Sequence, residues 1–245
     1  MLALAPTGFE EADAGSDLEL AAYGAEELER ELARVFGRVF AAPVEPGWED
    51  AWRSFHRPVR AGGLWIGPPW VEPPAGEPAV VVDPGRAFGT GAHPTTRACV
   101  ELLAGLPRGS LLDVGCGSGV LAVAAVRLGF APVRAVDVDP VAVEATRATA
   151  RRNGVRVQVR LGDLSRDPLP AADVVVANVD LRAVESLLAR RPGPLAVVSG
   201  YLAHEAPSAP GWTRLRRLEL SGWAADLLSR EPGASGPTGP RSAGH

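Results

Sequence analysis

The sequence predicts a doubly wound α/β domain built on a mostly parallel sheet and preceded by a small α+β module. Three observations carry this. A chain of 245 residues with 46% hydrophobic content can bury a full core, and one large domain with a smaller appendage is the natural division. From residue 80, short continuous apolar runs alternate with amphipathic segments, the pattern of parallel strands covered by helices on both faces. One of those runs, SLLDVGCGSG at 110–119, passes straight into a glycine-rich loop and then a helical stretch, where such folds bind ligands.

Residues 1–42 combine a strand-like piece, LELAAYG, with the amphipathic helix pattern AEELERELARVFGRVF. Alone this piece has too little core, so it is expected as part of a small α+β module. Residues 43–79 hold four of the six tryptophans, at 48, 52, 65 and 70, among repeated prolines and glycines. The prolines predict an extended, semi-rigid connector rather than a core element. Its tryptophans either pack the two modules together, the preferred reading, or form a binding wall.

The main domain is expected over 80–230. AVVVD is a short strand, PTTRACVELLAGL a helix, SLLDV a buried strand, and VLAVAAVRLG a helix. Strand VRAVDVD, helix PVAVEATRATARRNG, strands VQVRLGD and ADVVVANV, helix LRAVESLLARR and strand LAVVSGY follow. LRRLELSG and WAADLLSR read as an antiparallel edge hairpin turning at Ser221 and Gly222. Residues 231–245, EPGASGPTGPRSAGH, have nothing to bury and are expected to be disordered.

Composition narrows the function. The longest apolar stretch, GVLAVAAVRLGF, is broken by Arg127 and is too short to span a bilayer. The N-terminus lacks a secretory signal pattern, so a cytoplasmic protein with no membrane partner is expected. Cys99 and Cys116 show no metal-type spacing and no reason to pair, as in a reducing compartment, and the four histidines are scattered, so no metal site is expected. Residues 1–50 carry twelve acids against three arginines, while the whole chain is only −4. An acidic leading segment suits a basic partner; it equally serves as ordinary solubilising surface. All 25 basic residues are arginine, which reads as GC-rich coding rather than function.

The glycine loop points to the ligand. Gly115, Gly117 and Gly119 lie between strand and helix, where missing side chains let a ligand approach the backbone. A dinucleotide fingerprint needs a glycine at its sixth position, and Val120 stands there. No Gly-Lys-Ser/Thr follows, so a phosphate-binding P-loop is excluded as well. Asp137 closes the next strand, 22 residues after Gly115, where a carboxylate can accept both ribose hydroxyls of an adenosine. The pattern indicates a nucleoside without a pyrophosphate.

LLDVGCGSGVLA with AVDVDP resembles the first two motifs of class I methyltransferases. VVDPGRAFGTGAHPTTR, DVGCGSGVLAVAAVRLG, VDVDPVAVEAT, VVANV and SGYL, in that order, resemble the PrmA family, which methylates large-subunit ribosomal protein L-eleven (L11). WEDAWRSFHRPVRAGGLWIGPPW is similar to that family's segment before the catalytic domain, so the resemblance covers roughly 43–228. FGTG followed by H-x-T-T is its specific part. The resemblance implies a seven-stranded Rossmann-like methyltransferase sheet, S-adenosyl-L-methionine as cofactor, and a protein N-methyltransferase acting on lysine side chains and the N-terminal amine of that ribosomal protein. It also implies a substrate-recognition role for residues 1–42; a monomer without direct nucleic-acid contact is expected.

Carried over by resemblance, the loop from Phe88 to Thr96 folds over the cofactor, with Phe88 as an apolar wall and Gly89, Thr90, His93 and Thr96 among its contacts. His93, Thr95 and Thr96 also read simply as the start of a helix and its caps. Gly115 lies against the methionine part with Gly117 beside it, Asp137 on the ribose, and Asn178 near the transferring methyl; Asn178 and Phe88 are the candidate catalytic residues. Asp163 is placed near the adenine edge, or is a turn former. Asp113 orients the glycine loop or reaches the cofactor's amino group. Cys116 is read as a small loop residue rather than a nucleophile.

Methyl transfer to an amine is a direct displacement, so the enzyme chiefly aligns nitrogen, methyl and sulfur and excludes water. The amine must be neutral, although a free lysine has a pKa of about 10.4; a dry pocket lowers that value. No dedicated base stands out. The Asn178 carbonyl can orient the nitrogen while water removes its proton.

Two departures from the family pattern stand out. The family usually reads Asn-Ile-Leu-Ala where this chain has Asn178, Val179, Asp180 and Leu181. Asp180 either helps deprotonate an amine or, as preferred, caps the following helix. About forty residues precede the connector, fewer than the family's ferredoxin-like recognition domain. The alternatives are a class I methyltransferase for another protein or a small amine, or an inactive nucleoside-binding homologue. Nucleic-acid methylation is disfavoured because Val-Asp, not a Pro-Pro-aromatic run, follows Asn178.

Overall fold

The computed structural model describes residues 9–13, 18–22, 26–37, 39, 56–84, 89, 91–164 and 166–230. Phe88, Thr90, Trp48, Trp52, the connector up to residue 55 and the tail from 231 lie outside the described residues. The chain divides into two compact units, 1–53 and 54–245.

In the first unit, β1 (Phe9–Asp13) pairs antiparallel with β2 (Leu18–Ala22), and α1 (Glu26–Phe36) follows. The strand and helix read from the sequence are β2 and α1. β1, with the sequence FEEAD, has three acids in five residues and carries no strand pattern by composition.

The second unit begins with a correction. Residues 59–67 are not a bare connector: β3 (Val59–Ala61) and β4 (Leu64–Gly67) form a hairpin, and β5 (Ala79–Val81) joins β4 in parallel. Gly62 and Gly63, with φ of 56° and 77°, supply the left-handed pair that a two-residue hairpin turn needs. Ala61, Leu64, Ile66, Val80 and Val82 share a buried apolar cluster with the helices of the main domain. The prolines that suggested a linker flank the strands instead of entering them: VRAGGLWIG is a proline-free run between Pro58 and Pro68. Trp65 is buried within this second unit, and Trp70 meets the His56 ring at 6.3 Å.

The main sheet has seven strands in the order β11-β12-β10-β9-β6-β7-β8. These are β6 (Leu111–Val114), β7 (Val133–Asp137), β8 (Gln158–Leu161), β9 (Val174–Asn178), β10 (Leu195–Leu202), β11 (Trp212–Leu220) and β12 (Trp223–Arg230). β6 pairs in parallel with β7 on one side and β9 on the other, which makes its end the topological switch point. β12 runs antiparallel to both β10 and β11. The hairpin turns where the sequence places it: Leu220 faces Trp223, with Ser221 and Gly222 at φ 49° and 79°.

Alternation along the strands splits the core in two. Leu111, Val174, Val176 and Val197 face α2 (Pro94–Ala104), α3 (Val120–Arg127) and α4 (Pro140–Arg152). Leu112, Val175, Ala177 and Val198 face α5 (Leu181–Ala189) through Val184, Leu187 and Leu188. The small sheet is fastened to this body by Asn153, whose side chain pairs with the Val81 backbone as another strand would. Its Oδ1 accepts from Val81 N at 2.8 Å, and its Nδ2 donates to Val81 O at 2.7 Å.

Candidate active site

A cleft of about 660 Å³ opens at the C-terminal ends of the parallel strands. Gly89, His93, Thr96, Gly115, Gly117, Asp137, Asp163 and Asn178, all of the candidate residues that are described, line it.

The floor is the glycine loop between β6 and α3. Gly115 has φ 73°, and a side chain there would run into Val179 Cγ1, so the turn after β6 tolerates no Cβ. The Gly117 amide donates to Asp137 Oδ2 at 2.9 Å, and Asp137 Oδ1 accepts from Asp139 N at 3.0 Å. Asp137 therefore anchors the loop as well as facing the cleft. Ser118 Oγ donates to the Gly89 carbonyl at 2.6 Å, which ties the floor to the segment leading over it. Thr146 Oγ1 lies 2.9 Å from Gly117 O and 3.2 Å from Cys116 Sγ. Burial, with the nearby Asp113 charge, pushes the Cys116 thiol up to about 12, so it stays protonated and is no nucleophile.

Asp113, on β6, is fully buried and is not among the cleft-lining residues. Neither carboxylate oxygen has a hydrogen-bond partner among the described residues. Burial pushes its pKa up to about 7; the Ala122 amide in the first turn of α3 opposes this without ordinary hydrogen-bond geometry, and the Asp137 charge adds to it. This position suits orientation of the loop rather than contact with a ligand.

The opposite wall comes from the start of α2. His93 is its N-cap and Pro94 its first residue, so capping and cleft lining coincide in one histidine. Asn178, the last residue of β9, donates from Nδ2 to Thr95 Oγ1 at 3.0 Å and to Thr96 Oγ1 at 3.3 Å. Thr95 Oγ1, accepting from Asn178, lies 2.7 Å from His93 Nδ1, and the same nitrogen accepts from Thr95 N at 3.4 Å. His93 Nδ1 is thus an acceptor, and burial lowers the ring's pKa, which keeps it neutral. With both amide hydrogens of Asn178 committed, its Oδ1 has no partner among the described residues.

Asp180 is the N-cap of α5, accepting from Ala183 N at 3.1 Å, and also lines the cleft. Asp163 lies 3.6 Å from Arg166 and stands at the far end of the cleft near Gly162 and Leu164. Sequence reasoning missed Trp223 and Gly200. Trp223 lines the cleft with its ring 4.9 Å from that of His93, at 70°. Its local pattern signals only a strand after a turn; its role depends on β12 running backwards. Gly200 interrupts the β10–β12 register, and a Cβ there would overlap the Val179 backbone.

The lining contains four aspartates, at 137, 139, 163 and 180, and no arginine among the described residues. Such a cleft suits cations. Residues 17–209 match the family model described as Ribosomal protein L11 methyltransferase (PrmA). The chain belongs to the PrmA family. It is similar to the ribosomal protein L11 methyltransferase of Symbiobacterium thermophilum, 41% identical over 204 residues, covering 77% of this chain and 67% of that one. The Pelotomaculum thermopropionicum protein of the same name is 42% identical over 197 residues, covering 72% and 64%. Among solved structures, the ribosomal protein L11 methylase of Lactobacillus delbrueckii subsp. bulgaricus matches with a TM-score of 0.62 and 26% identity, covering 69% of this chain and 95% of that one.

As a PrmA-family member the chain is an S-adenosylmethionine-dependent methyltransferase. The site fits that cofactor: a cradle closed to any Cβ at Gly115, a strand-end carboxylate at Asp137, and an anionic lining for a ligand that carries a sulfonium and an ammonium. No helix among the described residues is long and apolar enough to cross a membrane.

Proposed function

We propose that this chain methylates lysine side-chain amines and the N-terminal amine of ribosomal protein L11, acting as a cytoplasmic monomer without direct nucleic-acid contact. The observation that carries the amine chemistry is Asn178: Thr95 and Thr96 hold its Nδ2, which leaves the carbonyl oxygen for an acceptor N–H. The names of its 41–42% identical relatives supply the protein substrate. Residues 1–42, with their excess of acids, would recognise that substrate.

In this reading Gly115 and Gly117 lie along the methionine part, Asp137 takes the ribose hydroxyls and Asp163 the adenine edge. Phe88, Gly89, Thr90, His93 and Thr96 form the covering wall. S-adenosylmethionine supplies an electrophilic methyl group. Asn178 Oδ1 orients the neutral amine nitrogen towards it, and the proton leaves to water.

The test is incubation with methyl-labelled S-adenosylmethionine and unmethylated L11, followed by mass spectrometry. The chain itself contains no lysine, so label on lysine reports the substrate alone. Label on L11 lysines is expected. Cofactor binding without label there, or label on another protein of a cell lysate instead, overturns the substrate.

A further inference from the structure

The cleft draws His93, Thr95, Asn178, Asp180, Gly200 and Trp223 from the start of α2 and from the ends of β9, β10 and β12. With the glycine loop, Asp137 and Asp163 assigned to the cofactor, this half, in which His93 also belongs to the covering wall, is left for the acceptor. It presents an indole, a neutral imidazole, an amide, a hydroxyl and a carboxylate. Asp180 spends Oδ1 on its helix cap, and its second oxygen has no protein partner among the described residues.

Trp223 is the first residue of β12. Because β12 runs against β10, Trp223 pairs with Leu202 and stands at the same end of the sheet as Asn178. Its partly exposed ring meets His93 edge to face, and His93 is linked through Thr95 to Asn178. An aromatic wall is thus coupled to the amide that would orient the acceptor.

We propose that Trp223 is the wall of the acceptor subsite, packing against the ammonium and its apolar stem, and that it sets how many methyl groups are added. The inference rests on the amine reading above. In each round the ammonium first sheds one proton to water, the freed nitrogen lone pair forms the bond to the methyl carbon, and the carbon–sulfur pair returns to sulfur. Each added methyl makes the ammonium less strongly hydrated, so leaving water costs less while the attraction of the indole persists. A partly methylated amine is therefore retained for the next round. A wall without a π-face releases it early.

The experiment titrates Nε-trimethyl-lysine into the full chain loaded with S-adenosylhomocysteine, comparing wild type, Trp223→Phe and Trp223→Leu by calorimetry. The phenylalanine variant should bind within about threefold of wild type and the leucine variant about tenfold more weakly, with S-adenosylhomocysteine affinity unchanged. Equal binding by wild type and the leucine variant, or no binding by wild type, overturns the subsite. In unmutated protein the Trp223 indole N–H resonance should shift saturably with trimethyl-lysine; an unmoved resonance also overturns it, whether or not the variants fold. On a methylated substrate, Trp223→Leu should move the products from trimethyl- towards monomethyl-lysine, and an unchanged distribution overturns the claim about methyl number. If trimethyl-lysine binds through Trp223 while L11 takes no label, the substrate falls and the subsite stands.

Discussion

Asn178 and Thr95 lie 83 positions apart in the chain, and the Asn178 amide donates to the Thr95 hydroxyl at 3.0 Å. This bond joins the end of a core strand to the first turn of the helix that starts beside the cleft. It commits the Asn178 amide and leaves Oδ1 without a partner among the described residues.

Removing the hydroxyl should therefore cost turnover more than cofactor binding. Thr95→Val takes from one amide hydrogen of Asn178 its hydroxyl partner, a loss of about 1–3 kcal/mol. Methyl-transfer kcat should fall about tenfold or more, with the calorimetric Kd for S-adenosylhomocysteine nearly unchanged. Thr95→Ser should restore most of the rate. A valine variant with wild-type kcat would show that the hydroxyl does not position Asn178.

Asp137 predicts the converse. Its carboxylate holds the Gly117 amide and, as proposed, the ribose, so Asp137→Ala should weaken S-adenosylhomocysteine binding about 10- to 100-fold, the range for hydrogen bonds to a charged group. Asp137→Asn keeps an acceptor and should lose less. Calorimetry on the three proteins decides it.

Two glycines with similar backbone angles should respond differently to alanine. Gly222, at φ 79°, has open space around it, so Gly222→Ala costs only the left-handed strain of about 1–2 kcal/mol. Gly200, at φ 107°, packs against the backbone of Val179, next to Asn178. Gly200→Ala should cost about 3 kcal/mol or more, strain and overlap together, and should reduce activity as well. Urea midpoints and initial rates of the two variants make the comparison.

Asp113 makes stability depend on pH. Burial raises its folded pKa to about 7, above the unfolded value of about 3.9, so between those pH values the folded state binds more protons than the unfolded one. The stabilisation is full below pH 4 and is lost as pH rises through 7. Asp113→Asn cannot ionise, so its stability relative to wild type should grow from pH 4 to pH 7 and then level off. Thermal midpoints at pH 5, 7 and 8.5 test this; an advantage that shrinks with rising pH would reverse the assignment.

Much of the site is legible in the sequence because its signals are local. A strand running into Gly115–Gly119 and a carboxylate closing the next strand are read within a few turns of chain, and the structure brings both to one cleft with His93, Thr96 and Asn178. The helix-cap and cleft readings of His93 turn out to be compatible, since a cap residue at the start of α2 also faces the crevice. The segment 59–67 misleads because proline content averages over a window, while the strands occupy the proline-free stretch inside it.

By itself the sequence determined the family resemblance, the succession of strands and helices in the main sheet, the hairpin turn at Ser221 and Gly222, and the place of the glycine loop between strand and helix. Each depends on periodicity, turn chemistry or motif order, which act over short separations. Only the tertiary structure decided that β12 inserts between β10 and β11, that Trp223 consequently reaches the cleft, that β3 and β4 join the main core, and that Asn178 is held by Thr95. Strand order and direction follow from which apolar faces are buried together, and that competition among distant segments leaves no mark on any one of them.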